Sequence, residues 1–223
     1  MTERFTERLR RLAVEIWEAQ HQHPFVCGIG DGTLGLERFK FWLRQDYVFL
    51  IEYARVLALA AARSPDLKTM NRFATLLKET VETEMNLHRE YAGEFDVSPE
   101  DLEREAPAPT TRAYSDFLLR VATTGDFAEL AAALLPCMWA YSEIGQRLAG
   151  QSRPDDGRYA KWIAMYSSRE FAELAEWCRA LVDTLAAGQP ERDLLRLEEA
   201  FLNSSRYEWQ FWEMAWTMEQ WRV

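Results

Sequence analysis

Three side chains able to do chemistry stand where a helical packing pattern calls for hydrocarbon. Cys137 lies in Leu134-Leu135-Pro136-Cys137-Met138-Trp139-Ala140-Tyr141, on the face that also carries Leu134, Tyr141 and Ile144. Asp46 lies three residues after Leu43 and four before Leu50, inside an apolar stripe. Glu208 lies three and four residues before Phe211 and Trp212, on the apolar face of the last periodic segment. A thiolate can attack an electrophilic carbon and split one hard step into two easier ones. A carboxyl group in a dry setting can hold or deliver a proton near neutral pH.

Each of the three also has a plainer explanation. A cysteine on an apolar face often serves as a small core residue. Here Pro136 directly precedes it, and an interior proline costs about 3 kcal/mol and one backbone hydrogen bond, which is tolerated where a kink is useful. Asp46 could be half of a structural ion pair with Arg44 or Arg55. Glu208 could pair with a cation such as Arg206 of a neighbouring chain. The small Ser204 and Ser205, one turn earlier, could leave room for a ligand. Tyr114, Tyr141 and Tyr166 occupy inward-looking positions, and buried phenols need hydrogen-bond partners. Such a set suits a flat heteroaromatic ligand with ring nitrogens and an amino group. Cys178 has no such context and reads as core.

The elements that must position these groups are helices, because nearly every segment repeats with a 3.6-residue period. Phe5, Leu9, Leu12 and Ile16 stripe a first helix. A long helix follows Thr33 and runs to about Arg63, with Phe39, Leu43, Leu50, Tyr53 and Leu57 inward. Ser64-Pro65-Asp66 caps a third, expected over roughly 66–94. A short helix follows Ser98-Pro99, and others are expected over about 110–123, 126–149, 156–166, 168–187 and 190–219. Glycine and proline punctuate them at His23-Pro24, Ala106-Pro107-Ala108-Pro109, Gly150 and Gly188-Gln189-Pro190. No segment alternates as a strand, and no linker is long enough to separate domains. The expectation is an all-α, single-domain helical bundle over residues 1–223.

Composition narrows the function. Of 223 residues, 48% are hydrophobic, enough for a core without disulfide staples. A net charge of −10 argues against a nucleic-acid or anionic-membrane partner, both of which need clustered Lys and Arg. The three cysteines, Cys27, Cys137 and Cys178, are widely spaced and form no CxxC, which fits a reducing cytosol. No signal peptide or transmembrane span is expected. Histidine is scarce: His21, His23 and His88. Glu84-x-x-x-His88 has the spacing of a metal pair, but no later helix supplies a second histidine. No metal and no cofactor are expected, and His88 reads as structural.

The order and spacing of six segments are similar to those of the TenA/thiaminase II family. They are His23-Pro24-Phe25-Val26, Asp31-Gly32-Thr33-Leu34, Gln45-Asp46-Tyr47, Leu134-Leu135-Pro136-Cys137, Trp162-Ile163-x-x-Tyr166 and Glu208-x-x-Phe211-Trp212. Each is weak alone; together they span almost the whole chain. The resemblance implies a haem-oxygenase-like helical fold without haem, a homotetramer, and hydrolysis of thiamin-derived aminopyrimidines. The substrates it implies are 4-amino-5-aminomethyl-2-methylpyrimidine and thiamin, both giving the 5-hydroxymethyl pyrimidine. It implies Cys137 as nucleophile and Glu208 as acid/base, with Asp46, Tyr114, Tyr141 and Tyr166 around the ring. Phe49 departs from the pattern: many members carry a tyrosine there, so stacking survives and a hydroxyl hydrogen bond does not. Cys137 itself marks the cysteine-containing branch.

Two other functions fit such a chain less well. A non-enzymatic regulator of gene expression would contact DNA with a net charge of −10 and no basic recognition helix. A metal-dependent oxidase on the same fold would place histidines on the late helices, and none occurs between Tyr159 and Gly188.

Overall fold

Long helix α4 (Leu36–Arg63) carries Asp46 and Phe49 and organises the elements that surround them. The computed structural model describes residues 3–95, 97–151 and 154–222. The chain is 83% helical, and the described residues contain no strand. Two units are distinguished: Met1–Leu34 with Ala128–Glu213, and Gly35–Phe127 with Met214–Val223.

In the first unit, α1 (Phe5–Leu12) and α2 (Val14–His21) are separate helices that meet at Ala13. A single first helix was expected, with Leu12 inward; Leu12 is instead 48% exposed, whereas Leu9, Ala13 and Trp17, spaced i, i+4 and i+8, are core. A further helix, α3 (Pro24–Asp31), occupies what reads in sequence as a linker. His23 caps it. Its Nδ1 accepts from the Phe25 N–H, so Nε2 carries the proton and donates to Glu213. Pro24 sits at the first helical positions, where its missing N–H costs nothing. Gly32 ends the helix in the left-handed conformation, φ 77°.

The unit continues with α9 (Phe127–Gln151), α10 (Gly157–Tyr166), α11 (Arg169–Ala186) and most of α12 (Glu191–Thr217). Leu9, Ala13, Trp17, Ala131, Leu135, Val182 and Phe201 form its core cluster. Cys178 packs against this cluster, as a core cysteine should.

In the second unit, α4 packs against α5 (Leu67–Glu79), α6 (Met85–Gly93), α7 (Pro99–Glu103) and α8 (Pro109–Thr124). Asp66 caps α5 by accepting from the Thr69 N–H at 2.9 Å. The helix expected over 66–94 is interrupted by a π-helical turn, Thr80–Glu84. The turn has a packing reason. Thr69, Phe73, Leu76 and Thr80 are buried before it; Met85, His88, Tyr91 and Ala92 are buried after it. An unbroken α-helix, at ~100° per residue, would rotate the second set about 100° from the first. A π turn absorbs one extra residue and returns both sets to one face.

Candidate functional site

Gln45, Asp46 and Tyr47 on α4 address three different partners. Gln45 Oε1 accepts from the Ala108 N–H and the Thr111 hydroxyl, both at 2.8 Å, and its Nε2 donates to the Ala106 carbonyl at 3.1 Å. Those bonds pin the first turn of α8, the helix that carries Tyr114. The Tyr47 hydroxyl accepts from Arg89 Nε at 3.1 Å. Asp46 Oδ2 lies 2.7 Å from His88 Nε2.

The Asp46 partner differs from the arginines considered above. Arg44 pairs with Glu105 and Arg55 with Glu52, both away from Asp46. His88, read in sequence as merely structural, holds the carboxylate instead. Both groups are buried. The other ring nitrogen, Nδ1, lies 2.9 Å from the Glu84 carbonyl, which can only accept, so Nδ1 is protonated. Burial works against charge on this imidazole, but the hydrogen bond and charge of Asp46, with help from Glu84, outweigh it and raise its pKa. The signal in sequence was Glu84-x-x-x-His88. It pointed to a pair on one helix, whereas the decisive partner lies 42 residues away.

One turn along α4 from Asp46, the Phe49 ring stacks on Tyr114 at 4.9 Å and on Tyr53 at 5.6 Å between centroids. Phe49, Tyr114 and Asp46 are all buried. The second unit therefore offers a flat aromatic surface beside an acidic acceptor.

In the first unit, α9 runs through Pro136, which leaves the Ala132 carbonyl without its helical donor. Cys137 follows, half-buried. One turn later the Tyr141 ring meets Tyr166 at 4.9 Å and Trp212 at 5.0 Å. Trp162, one turn before Tyr166, closes the cluster at 4.6 Å from it. Glu208 lies one turn before Trp212 on α12 and is 2% exposed. The unit thus gathers a thiol and a carboxyl group on helices whose next turns meet in one aromatic cluster. The Ser205 hydroxyl accepts from the Trp17 indole at 3.1 Å. Gln20 Oε1 accepts likewise from Trp212 Nε1 at 3.2 Å.

Such a set can bind a planar heterocycle by stacking and carboxylate hydrogen bonds, and can combine a nucleophile with proton transfer. The comparisons with known proteins agree on the class. The chain superposes on a domain from Shewanella denitrificans OS217 described as having a heme oxygenase-like fold. The TM-score is 0.74 at 15% identity, covering 96% of this chain and 92% of that one. The TenA homologue protein from P. horikoshii OT3 gives a TM-score of 0.89 at 32% identity, over 96% and 99%. The fold is the all-α, haem-oxygenase-like one. A model of the TENA/THI-4/PQQC family matches residues 10–218, and the chain belongs to that family. It is 45% identical over 218 residues to the Aminopyrimidine aminohydrolase of Halalkalibacterium halodurans, covering 97% of each.

Proposed function

We propose that this protein is an aminopyrimidine aminohydrolase of the thiaminase II type. It hydrolyses 4-amino-5-aminomethyl-2-methylpyrimidine, and thiamin, to 4-amino-5-hydroxymethyl-2-methylpyrimidine. The observation that carries the reading is the pair of helical turns Cys137–Tyr141 and Glu208–Trp212, whose aromatic members meet at 5.0 Å. The near full-length likeness to a relative named for this activity supports it.

Cys137 is the nucleophile and Glu208 the acid/base; Asp46, Phe49, Tyr114, Tyr141 and Tyr166 bind the pyrimidine. Cys137 adds as a thiolate to the ring carbon flanked by nitrogen and breaks the aromaticity. The ring electrons expel the amine from the 5-methylene, and Glu208 supplies the proton that the amine takes. Water then adds to the exocyclic methylene, Glu208 recovers a proton from it, and the C–S bond breaks as the ring becomes aromatic again. One water is consumed and one ammonia released. Phenols and aromatic faces suit the neutral ring, and Asp46 suits its N–H groups.

One domain spanning residues 1–223, a homotetramer and a cytosolic setting complete the reading. The family match over most of the chain supports the first. The exposed apolar side chains of Leu67, Met70 and Val81 support self-association. Three widely spaced cysteines support a reducing compartment. No helix among the described residues is long and apolar enough to cross a membrane.

Ammonia release from the aminomethyl pyrimidine, and pyrimidine release from thiamin, test the function with purified protein. Turnover that yields the 5-hydroxymethyl pyrimidine is expected. A protein that shifts DNA but releases no ammonia would overturn the reading in favour of a regulator.

A further inference from the structure

The Asp46–His88 pair has a construction that the proposed chemistry leaves unused. Three constraints converge on the imidazole. Its Nδ1 donates to the Glu84 carbonyl at 2.9 Å, which fixes the ring's rotation against its own helix. Its Nε2 faces Asp46 Oδ2 at 2.7 Å. Trp42 covers it, with ring centroids 5.8 Å apart. The π-helical turn Thr80–Glu84 brings this stretch of helix onto the α4 side, where Asp46 stands. Without that turn, His88 would point about 100° away.

Because Nδ1 already carries a proton, the contact between Nε2 and Oδ2 holds one more proton between two groups. Written either way, as imidazolium with carboxylate or as imidazole with carboxylic acid, the pair is neutral overall. Burial lowers the pKa of His88, but the hydrogen bonds and charges of Asp46 and Glu84 outweigh it and favour the imidazolium. The charged and titratable groups facing the ring are Asp46 from α4 and Glu84 from its own helical run. Arg89, the next residue, points instead to Tyr47. Asp46 makes its one hydrogen bond among the described residues through Oδ2, which leaves Oδ1 to accept from a ligand.

We propose that His88 is a positioning residue for the pyrimidine: clamped between the Glu84 carbonyl and Asp46, it holds the Asp46 carboxyl group oriented so that Oδ1 accepts from the N–H groups of an aminopyrimidine. This rests on the reading of Asp46 as a pyrimidine-binding residue. His88 itself touches neither substrate nor the reacting atoms. Its loss should therefore appear in binding before it appears in the chemical step. A hydrogen bond to a charged group supports an effect of about tenfold to a hundredfold on binding.

The test measures binding of the 5-hydroxymethyl product, kcat and KM for wild type, His88→Leu and His88→Gln between pH 5.5 and 8.5. In parallel, the histidine ring nitrogens of ¹⁵N-labelled wild type are followed by NMR. Expected is a His88 ring that keeps both nitrogens protonated to a higher pH than a solvated histidine does. His88→Leu, with a wild-type circular dichroism spectrum, should bind product at least about tenfold more weakly with a smaller change in kcat. His88→Gln, which keeps one N–H toward Asp46, should recover part of the loss. A folded His88→Leu with wild-type affinity overturns the proposal. So does a wild-type ring whose Nε2 titrates like a solvated histidine. If His88→Leu does not fold, the ring titration and the His88→Gln binding decide alone. Wild-type protein that neither binds nor hydrolyses any aminopyrimidine would overturn the underlying functional reading as well, and that result is distinct from the others.

Discussion

Gly145 and Tyr166 approach so closely that a Cβ on Gly145 would lie 2.5 Å from the Tyr166 carbonyl carbon and 2.8 Å from its Cβ. Gly145 is one turn beyond Tyr141 on α9, and Tyr166 is the last residue of α10. The absent side chain therefore sets how near the end of α10 comes to α9. That distance places the Tyr166 ring 4.9 Å from Tyr141.

Gly145→Ala tests this placement. In an exposed helix the change would gain about 1 kcal/mol from backbone entropy. Here the added methyl meets backbone atoms rather than the end of a flexible side chain, and overpacking of that kind costs about 1–3 kcal/mol. The clash wins: the variant should be less stable in urea unfolding, and its KM for the aminopyrimidine should rise because Tyr166 is pushed away. A variant as stable as wild type with unchanged KM would show that α10 yields without consequence.

Phe49→Tyr tests the departure from the usual tyrosine. The ring already stacks on Tyr114 and Tyr53, so the added hydroxyl leaves the stacking intact. A neutral hydrogen bond contributes about 0.5–1.5 kcal/mol, so KM should fall about two- to tenfold with kcat little changed. Steady-state kinetics decide it; an unaltered or higher KM would mean that the ring edge does not face the pyrimidine.

Acid sensitivity should trace to Glu143. Burial alone would push this carboxyl up, but hydrogen bonds from His21 and Arg10, with the charge of Arg10, hold it down at about 2 against an ordinary 4.5. A depressed folded-state value stabilises the protein fully above about pH 4.5, and the gain is lost as pH falls toward 2. The side chain is 33% exposed, so solvent screening limits the effect to on the order of 1–2 kcal/mol. Urea unfolding of wild type and Glu143→Gln should show the larger difference at pH 7 and a shrinking one at pH 4 and pH 3. Equal differences at pH 7 and pH 3 would contradict this.

What the sequence revealed, and what it hid, follows from the range of each interaction. Asp46 and Glu208 were placed on buried faces because a 3.6-residue period fixes which side chains share a face, and both are buried. Periodicity says nothing about what faces them, so the His88 partner of Asp46 stayed hidden. The π turn at Thr80–Glu84 shifts a helical register, and a stripe counted across it drifts off its face. Helix α3 had legible ends, Pro24 and Gly32, but only eight residues between its caps, two of them the poor helix formers Gly28 and Gly30. Gly28 is needed where it stands: it lies against Leu34, where a Cβ would come within 3.1 Å.

The most direct test of the account concerns Cys137. Ammonia release from 4-amino-5-aminomethyl-2-methylpyrimidine should be measured for wild type and Cys137→Ser, alongside binding of the 5-hydroxymethyl product. Loss of a nucleophile removes an interaction made only along the reaction path, so kcat should fall at least about a hundredfold while product binding stays close to wild type. Hydrolysis by Cys137→Ser at the wild-type rate, with unaltered KM, would contradict covalent catalysis by this thiol.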